Sequence, residues 1–193
     1  MYAVYHGRNG LKEIGKKIHY LTAVLSEGLT QLGYKQLNQT YFDTLKIDIG
    51  NVSMENIKTY SEDAKMNFNY IDESILSISI DEKDDINNIN DILEVFAKSC
   101  NHSDYTDLIK EVLNGDYSKA KALIPEKLYR TSSFMDHDVF NKYHSETEMM
   151  RYIKSLENKD LSLTHSMIPL GSCTMKLNAA SELFPLSWSE FGD

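Results

Sequence analysis

An apolar stripe near the amino terminus constrains the fold of this 193-residue chain more than any other feature. Apolar side chains recur every three or four residues between positions 11 and 32, which is the spacing of one face of an α-helix. The stripe predicts a long helix that buries this face, and Gly33 stands where a left-handed carboxyl-terminal cap belongs. The members of the stripe are Leu11, Ile14, Ile18, Leu21, Leu25, Leu29 and Leu32.

Alternating polar and apolar residues predict two half-buried strands, at residues 44–49 and 76–80. Helices are predicted at 53–65, from 84 or 85 to 98, and at 104–114, because the apolar residues there follow the helical period. The side chains expected to face the core are Ile57, Tyr60 and Ala64 in the first of these helices, Ile86, Ile89, Leu93, Phe96 and Ala97 in the second, and Leu108, Val112 and Leu113 in the third.

These elements predict an α/β chain, in which residues 1–115 form a small mixed α/β (α+β) domain of ordinary size. Residues 116–144 show weak periodicity and are interpreted as a connector. A helix is then expected after the capping-box pattern of Ser145 and Glu148, as the start of a helical and extended arm over 145–193. No element is predicted at the end of the chain.

Charge and cysteine content narrow the function classes. The net charge is −9, residues 53–116 carry 15 acidic against 5 basic residues, and no basic stripe is present, so we expect no nucleic-acid partner. Cys100 and Cys173 fit no zinc or redox spacing, which favours free thiols in a reducing compartment. No apolar run reaches the length of a membrane span, so we expect a cytoplasmic protein without a membrane partner.

Residues 165–178 carry the strongest functional signal, because the run has neither a helical nor a strand period. Gly171 permits backbone angles that other residues avoid, and Ser172, Cys173 and Thr174 follow it with small polar side chains. Such a run can direct several N–H and O–H donors at one ligand. Lys176 follows without the spacing of a P-loop, and a solvated or carboxylate-paired lysine is as reasonable an interpretation as a ligand role.

Other groups of residues give weaker evidence for a catalytic or metal-binding site. Cys173 with His165 invites a cysteine-nucleophile hypothesis, although no histidine follows Cys173 as a papain-type arrangement requires. His19 lies beside the apolar stripe and is expected to be partly exposed. Six acidic and histidine residues between positions 136 and 148 could in principle bind a metal ion, but their spacings match no zinc template and no metal is predicted. That set comprises Asp136, His137, Asp138, His144, Glu146 and Glu148.

The run at 144–178, from His-Ser-Glu-Thr-Glu to Gly-Ser-Cys-Thr-Met-Lys-Leu-Asn, closely resembles the family of glycine dehydrogenase (decarboxylating), the P-protein of the glycine cleavage system. Residues 1–7, Met-Tyr-Ala-Val-Tyr-His-Gly, and 42–47, Phe-Asp-Thr-Leu-Lys-Ile, look like its upstream segments. Residues 188–192 look like its continuation. The resemblance covers essentially the whole chain, and the 165–178 motif is its most specific part.

The resemblance implies an enzyme dependent on pyridoxal phosphate, with the aminotransferase-like fold (fold type I) and a bacterial cytoplasmic location. Its reaction is the decarboxylation of glycine and transfer of the aminomethyl group to the lipoyl arm of the H-protein. The family has two related halves, arranged as a homodimer or a heterotetramer. Residues 1–115 would end the first, degenerate half, and residues 145–193 would open the catalytic half.

The chain departs from the family in extent. The lysine that binds the cofactor lies in an Asn-x-His-Lys motif that is absent here, so no catalytic residue is assigned and Lys176 is not given that role. We expect an internal fragment without decarboxylase activity of its own, in which Gly171, Ser172, Cys173 and Thr174 line the active site. The alternatives are a non-catalytic assembly module that docks on a separate catalytic subunit and, more weakly, a cysteine hydrolase.

Overall fold

A computed structural model describes residues 1–102, 105–113, 124–160 and 180–192. The chain divides into two compact units, one formed by His6–Asp136 and the other by Met1–Tyr5 together with the described part of His137–Asp193.

The larger unit is built on a four-stranded antiparallel sheet with strand order β1-β2-β4-β3. The strands are β1 (Lys35–Gln36), β2 (Thr44–Asp48), β3 (Asn69–Tyr70) and β4 (Ile75–Ser79). Leu45 opposes Ile78 and Ile47 opposes Leu76, and all four side chains are buried. The alternation therefore predicts β2 and β4 correctly, and the opposite face of the sheet is polar.

The first helix, α1 (Tyr2–Gln31), begins nine residues earlier than the stripe predicts. Gly7 lies inside it with φ 63° and ψ −175°, a backbone that favours glycine, so α1 consists of two helical segments joined at a kink. At the other end Gly33 has φ 90°. Its N–H donates to Thr30 O and the N–H of Tyr34 donates to Leu29 O, which is the Schellman arrangement and confirms the predicted cap.

Helix α2 (Met54–Asp63) confirms the predicted helix, but its buried face differs from the prediction. Ile57 is buried as expected, whereas Tyr60 and Ala64 are exposed and Ser61 is buried instead. Ser61 can enter the core because its hydroxyl group contacts the hydroxyl group of Tyr70 at 2.8 Å and donates to the carbonyl oxygen of Lys58 at 2.9 Å.

Helices α3 (Ile86–Ser99) and α4 (Tyr105–Leu113) confirm the last two predicted helices of this unit. Ile89, Leu93 and Phe96 of α3 are fully buried in one continuous core with α1 and the sheet. In α4 Val112 is buried as predicted, and the side chains of Leu108 and Leu113 lie outside the described part. The core therefore lies between the sheet and the helices that cover one of its faces.

Asp85 caps α3 through a reciprocal capping box with Asn88. Its carboxylate accepts the N–H groups of Asn87 at 2.8 Å and Asn88 at 3.1 Å, and Asn88 Oδ1 accepts the N–H of Asp85 at 2.9 Å. The N–H donors of Asn88 and Asn87 lower the pKa of Asp85 below its ordinary value. The ionised carboxylate is therefore the form that stabilises the folded chain.

This cap makes folding acid-sensitive. Because the pKa of Asp85 is lower in the folded than in the unfolded chain, its stabilisation is present at neutral pH and is lost as the pH falls below the ordinary aspartate range. In Asp85→Asn the amide oxygen still accepts both N–H groups, so we expect less loss of the melting temperature between pH 7 and pH 3 than in the native chain. Asp91→Asn, at an exposed position within α3, is the control and should show the native pH dependence. Identical pH profiles for all three proteins would contradict the prediction.

The smaller unit contains helix α5 (Glu146–Glu157) and a short helix α6 (Ser189–Gly192), with 3₁₀ segments at Asp138–Asn141 and Ala180–Ser187. Ser145 caps α5 as predicted, since its Oγ accepts the N–H of Glu148 at 3.3 Å. The apolar residues of α5 at helical spacing are expected to form its inner face, but Met149, Tyr152 and Leu156 are only half-buried and Ile153 is exposed. The prediction that no element ends the chain is wrong, because Ala180–Ser187 form a 3₁₀ segment and Ser189–Gly192 a short helix, although Pro185 and three serines obscure their period.

Candidate functional site

The residues of the predicted active-site loop, Gly171, Ser172, Cys173 and Thr174, lie outside the described residues. His165 and Lys176 do so as well. Their roles, including the cysteine-nucleophile hypothesis, therefore stay predictions. What the structure describes is the pair of segments that flank this loop, α5 on one side and residues 180–192 on the other.

Helix α5 is anchored at its start by aromatic packing. The rings of Tyr143 and Tyr152 stack with their centroids 4.3 Å apart and an interplanar angle of 17°. The hydroxyl group of Ser145 also donates to Glu148 Oε2 at 3.1 Å, which fixes the first turn. The stacked rings and the capped first turn together hold the segment that leads into the predicted loop.

The metal set suggested by the sequence does not assemble into a ligand cluster. Asp138 pairs with Lys142 at 2.7 Å, and the hydrogen bond from this ammonium group lowers the pKa of Asp138. His137 Nδ1 accepts the N–H of Val139 at 3.1 Å, and His144 Nδ1 lies 2.7 Å from the carbonyl oxygen of Tyr5. Asp136 pairs with Arg8 at 3.0 Å. Within the described ranges, no three His, Cys, Asp or Glu side chains are placed to hold a metal ion.

The prediction that His19 is partly exposed is wrong. His19 is 4% exposed, its Nδ1 lies 2.9 Å from the carbonyl oxygen of Phe42, and its ring stacks on the Phe42 ring at 5.6 Å. Tyr41 packs beside it, with ring centroids 5.7 Å apart. A buried imidazole that binds a carbonyl group holds the 37–43 connection against α1, so His19 is structural. The position of His19 next to the apolar stripe, together with the Tyr41-Phe42 pair, is the sequence signal for this role.

Cys100 is a free, half-buried thiol whose Sγ lies 3.3 Å from the carbonyl oxygen of Ala97. It faces Tyr34, whose hydroxyl group donates to the carbonyl oxygen of Phe96 at 2.7 Å and whose pKa is raised, chiefly by burial. A reactive thiol needs positive charge close to its sulfur, whereas these described neighbours of Cys100 are a phenol and two carbonyl groups. Cys100 therefore has a packing role.

Two clefts on the described surface of the larger unit bear on ligand binding. One, of about 360 Å³, lies between the β3–β4 edge and α3, and Asp84 is the charged residue among those that line it. The other, of about 540 Å³, lies between α2 and α3 and is lined by three carboxylates and Lys98. Lys98 pairs with Glu94 at 3.2 Å, and this hydrogen bond raises the pKa of Lys98. Both clefts are therefore suited to neutral or cationic groups rather than to anions.

No described helix is both long and apolar enough to cross a membrane.

The fold places the larger unit among mixed α/β proteins in which helices cover one face of a small antiparallel sheet. Residues 1–96 match the sequence model of the family described as Glycine cleavage system P-protein. The chain belongs to this family.

Individual relatives support the same assignment. The chain is 47% identical over 193 residues to glycine dehydrogenase (decarboxylating) of Nostoc sp. and covers 19% of that protein. It is 45% identical over 193 residues to the mitochondrial glycine dehydrogenase (decarboxylating) of Mus musculus, of which it covers 18%. For the protein of the same name from Vibrio parahaemolyticus the identity is 46% over 191 residues, with 19% covered. The first two alignments include the whole chain, and the third includes 99% of it. The chain spans about a fifth of the length of these relatives.

Proposed function

We propose that this chain is a segment of a P-protein that decarboxylates glycine and transfers the remaining aminomethyl group to the lipoyl arm of the H-protein. The observation that supports the proposal is the identity of 45–47% along all 193 residues to proteins named glycine dehydrogenase (decarboxylating). A shared fold alone does not require identity at this level over a whole chain.

The domain organisation follows from the same proposal. Residues 1–115 form a small mixed domain at the end of the first half, residues 116–144 connect, and residues 145–193 open the catalytic half of an aminotransferase-like protein. The 6–136 unit has a well-packed core, and His19 and Cys100 in this unit have packing roles. Both observations support a structural role for this domain.

Pyridoxal phosphate is the cofactor proposed for the whole protein, where it would stabilise the carbanion left when carbon dioxide departs. The two described clefts do not fit it. Its phosphate group needs cations or N–H donors, whereas Asp84 is the charged residue that lines one cleft and carboxylates outnumber Lys98 in the other. Lys98 also has a raised pKa, and a lysine that forms an imine must lose its proton. We therefore assign the cofactor to the surroundings of the 165–178 motif in the whole protein, and to neither cleft.

Within that motif we propose that Gly171 allows close backbone approach and that Ser172, Cys173 and Thr174 line the site. The hydroxyl groups of Ser172 and Thr174 can donate hydrogen bonds to an anionic oxygen of the cofactor or substrate. The basis is residue type together with the family resemblance of the motif.

A chimera tests the proposed function. The 193 residues of this chain would replace the aligned segment of the Nostoc protein, and release of labelled carbon dioxide from carboxyl-labelled glycine would be measured with pyridoxal phosphate and lipoylated H-protein. We expect the chimera to retain turnover. A folded chimera without turnover would refute the assignment. The isolated chain is expected to show no turnover and no stoichiometric fixation of pyridoxal phosphate on a lysine by borohydride.

The proposed donors can be tested in the same chimera. We expect Ser172→Ala or Thr174→Ala to lower the turnover number by about 100- to 1,000-fold, as loss of one preorganised donor does in other active sites. Ser155→Ala is the matched control, because Ser155 is exposed on α5 and its hydroxyl group donates to the carbonyl oxygen of Tyr152 in the same helix. Native turnover in both test variants would refute the proposed donor role of Ser172 and Thr174.

A further inference from the structure

Residues 180–192 carry a dense group of exposed apolar side chains. Their exposed fractions lie between 53% and 69%, although five such residues fall within nine positions. Single exposed apolar residues are ordinary on protein surfaces, but a contiguous group of this kind marks a surface that another molecule covers. This 180–192 surface consists of Leu183, Phe184, Leu186, Trp188 and Phe191.

The backbone beneath these side chains is hydrogen-bonded within the segment. The N–H of Trp188 donates to Pro185 O at 3.1 Å, and the N–H groups of Phe191 and Gly192 donate to Trp188 O at 3.0 and 2.9 Å. Gly192 approaches the turn before it so closely that a Cβ atom there would lie 2.8 Å from Leu186 O. The segment is therefore compact and helical, and its backbone groups pair with one another while its side chains point outward.

Charge bears on what covers the surface. Residues 179–192 contain Glu182 and Glu190 and no Lys or Arg. An acidic segment is repelled by anionic lipid, which basic amphipathic helices bind. Pairing of two copies through the same surface would bring like charges together. An apolar surface with basic residues at its edge is the complementary partner.

The length of the relatives supplies a candidate for this partner. Alignments with the Nostoc and mouse proteins run through all 193 residues of this chain, the 180–192 surface included, yet the chain covers only 18–19% of each. In those proteins more than four-fifths of the polypeptide lies outside the aligned segment and is tethered to it. Tethering raises the effective concentration of such a partner far above that of a separate protein.

We propose that the 180–192 surface docks into an apolar depression of the P-protein polypeptide outside these 193 residues, with Lys or Arg at its rim facing Glu190. The proposal rests on the proposed function, because it takes the chain to be a P-protein segment. Trp188 is the anchor, and Phe191, whose ring centroid lies 6.3 Å from that of Trp188, extends the contact. Large aromatic side chains of this kind provide most of the binding energy in protein interfaces.

Hydroxyl-radical footprinting read by mass spectrometry tests the docking. The 193-residue chain and the chimera with the Nostoc protein would be exposed to the same radical dose, fixed by an added tryptophan peptide. We expect oxidation of Trp188 and Phe191 to fall by about fivefold in the chimera, since the centre of an interface is desolvated. Equal oxidation in both proteins would overturn the proposal. A second chimera that carries only residues 180–192 of this chain keeps the test valid if the larger graft does not fold.

Substitutions distinguish docking within the P-protein from pairing of two copies and from binding to lipid. In the chimera, Trp188→Asp should lower the urea midpoint, whereas Ile71→Asp, at another exposed apolar position, should leave it unchanged. The proposal fails if the 193-residue chain forms a stable dimer that Trp188→Asp disperses, or if it binds anionic vesicles through this surface. Turnover of glycine is measured separately: protection of Trp188 without turnover contradicts the proposed function alone, and turnover without protection contradicts the docking alone.

Discussion

Replacement of Phe96 by alanine is expected to lower the free energy of unfolding of the 6–136 unit by about 3–5 kcal/mol, the cost of deleting a large buried aromatic side chain. Phe96 is fully buried. Its ring meets that of Tyr34 edge to face at 5.0 Å and 89°, and that of Phe68 at 5.5 Å. Alanine would leave a cavity where α3 joins the end of α1 and the loop before β3. Urea unfolding followed by circular dichroism measures the effect.

An exposed residue of the same unit gives the comparison for Phe96. Leu128 is 67% exposed, so Leu128→Ala should change the free energy of unfolding by less than about 0.5 kcal/mol. The loss in Phe96→Ala should exceed that change several-fold if Phe96 is the centre of the core. A loss below about 1 kcal/mol would contradict this role, because even partial collapse of the cavity leaves the transfer cost of the lost ring.

The second large effect is expected at Gly28, where α1 crosses α3. A Cβ atom on Gly28 would lie 2.5 Å from Leu93 Cδ2 and 2.7 Å from Leu93 Cδ1. Leu93 is fully buried, so its side chain can move only by displacing other core residues. We expect Gly28→Ala to destabilise the unit by about 2 kcal/mol, because overpacking costs up to about 3 kcal/mol and the higher helix propensity of alanine recovers about 1 kcal/mol. Urea midpoints at constant m-value measure this difference.

Gly15 is the matched control on the same helix. A Cβ atom there would meet only Phe42 Cζ, at an ordinary distance of 3.5 Å. Gly15→Ala should therefore stabilise the unit by about 0.5–1 kcal/mol, which is the propensity gain without a clash. Effects of the same sign at Gly15 and Gly28 would show that close packing against Leu93 does not govern the cost at Gly28.

The period of apolar residues predicts the long elements of the fold because burial of one face dictates that period. Helix α1, strands β2 and β4, and helix α3 all follow from it, and Asp85, one of the two aspartates predicted to open α3, is its N-cap. Strands β1 and β3 do not, because each has two residues, too few for an alternation, and each exists only through pairing with a longer neighbour.

The buried polar residues escape prediction for a different reason. Ser61 and His19 enter the core because hydrogen-bond partners satisfy them, Tyr70 and Lys58 for the serine and Phe42 for the histidine. Residue type alone favours an exposed position for the serine and an intermediate one for the histidine. The candidate loop at 171–174 is predicted from the absence of a period. Because its residues fit neither a helix nor a strand, ligand binding is the better explanation of their types. Their residue types alone do not determine which ligand atoms those residues meet.

The position of Trp188 decides what an optical experiment on this chain observes. It is the single tryptophan of the sequence and lies in the smaller unit, while the sheet unit holds tyrosines and phenylalanines. Tryptophan emission therefore reports on the 180–192 segment and does not report unfolding of the sheet. Emission and circular dichroism should give separate transitions if the two units unfold independently, and only coincidence of the two would justify a single unfolding constant.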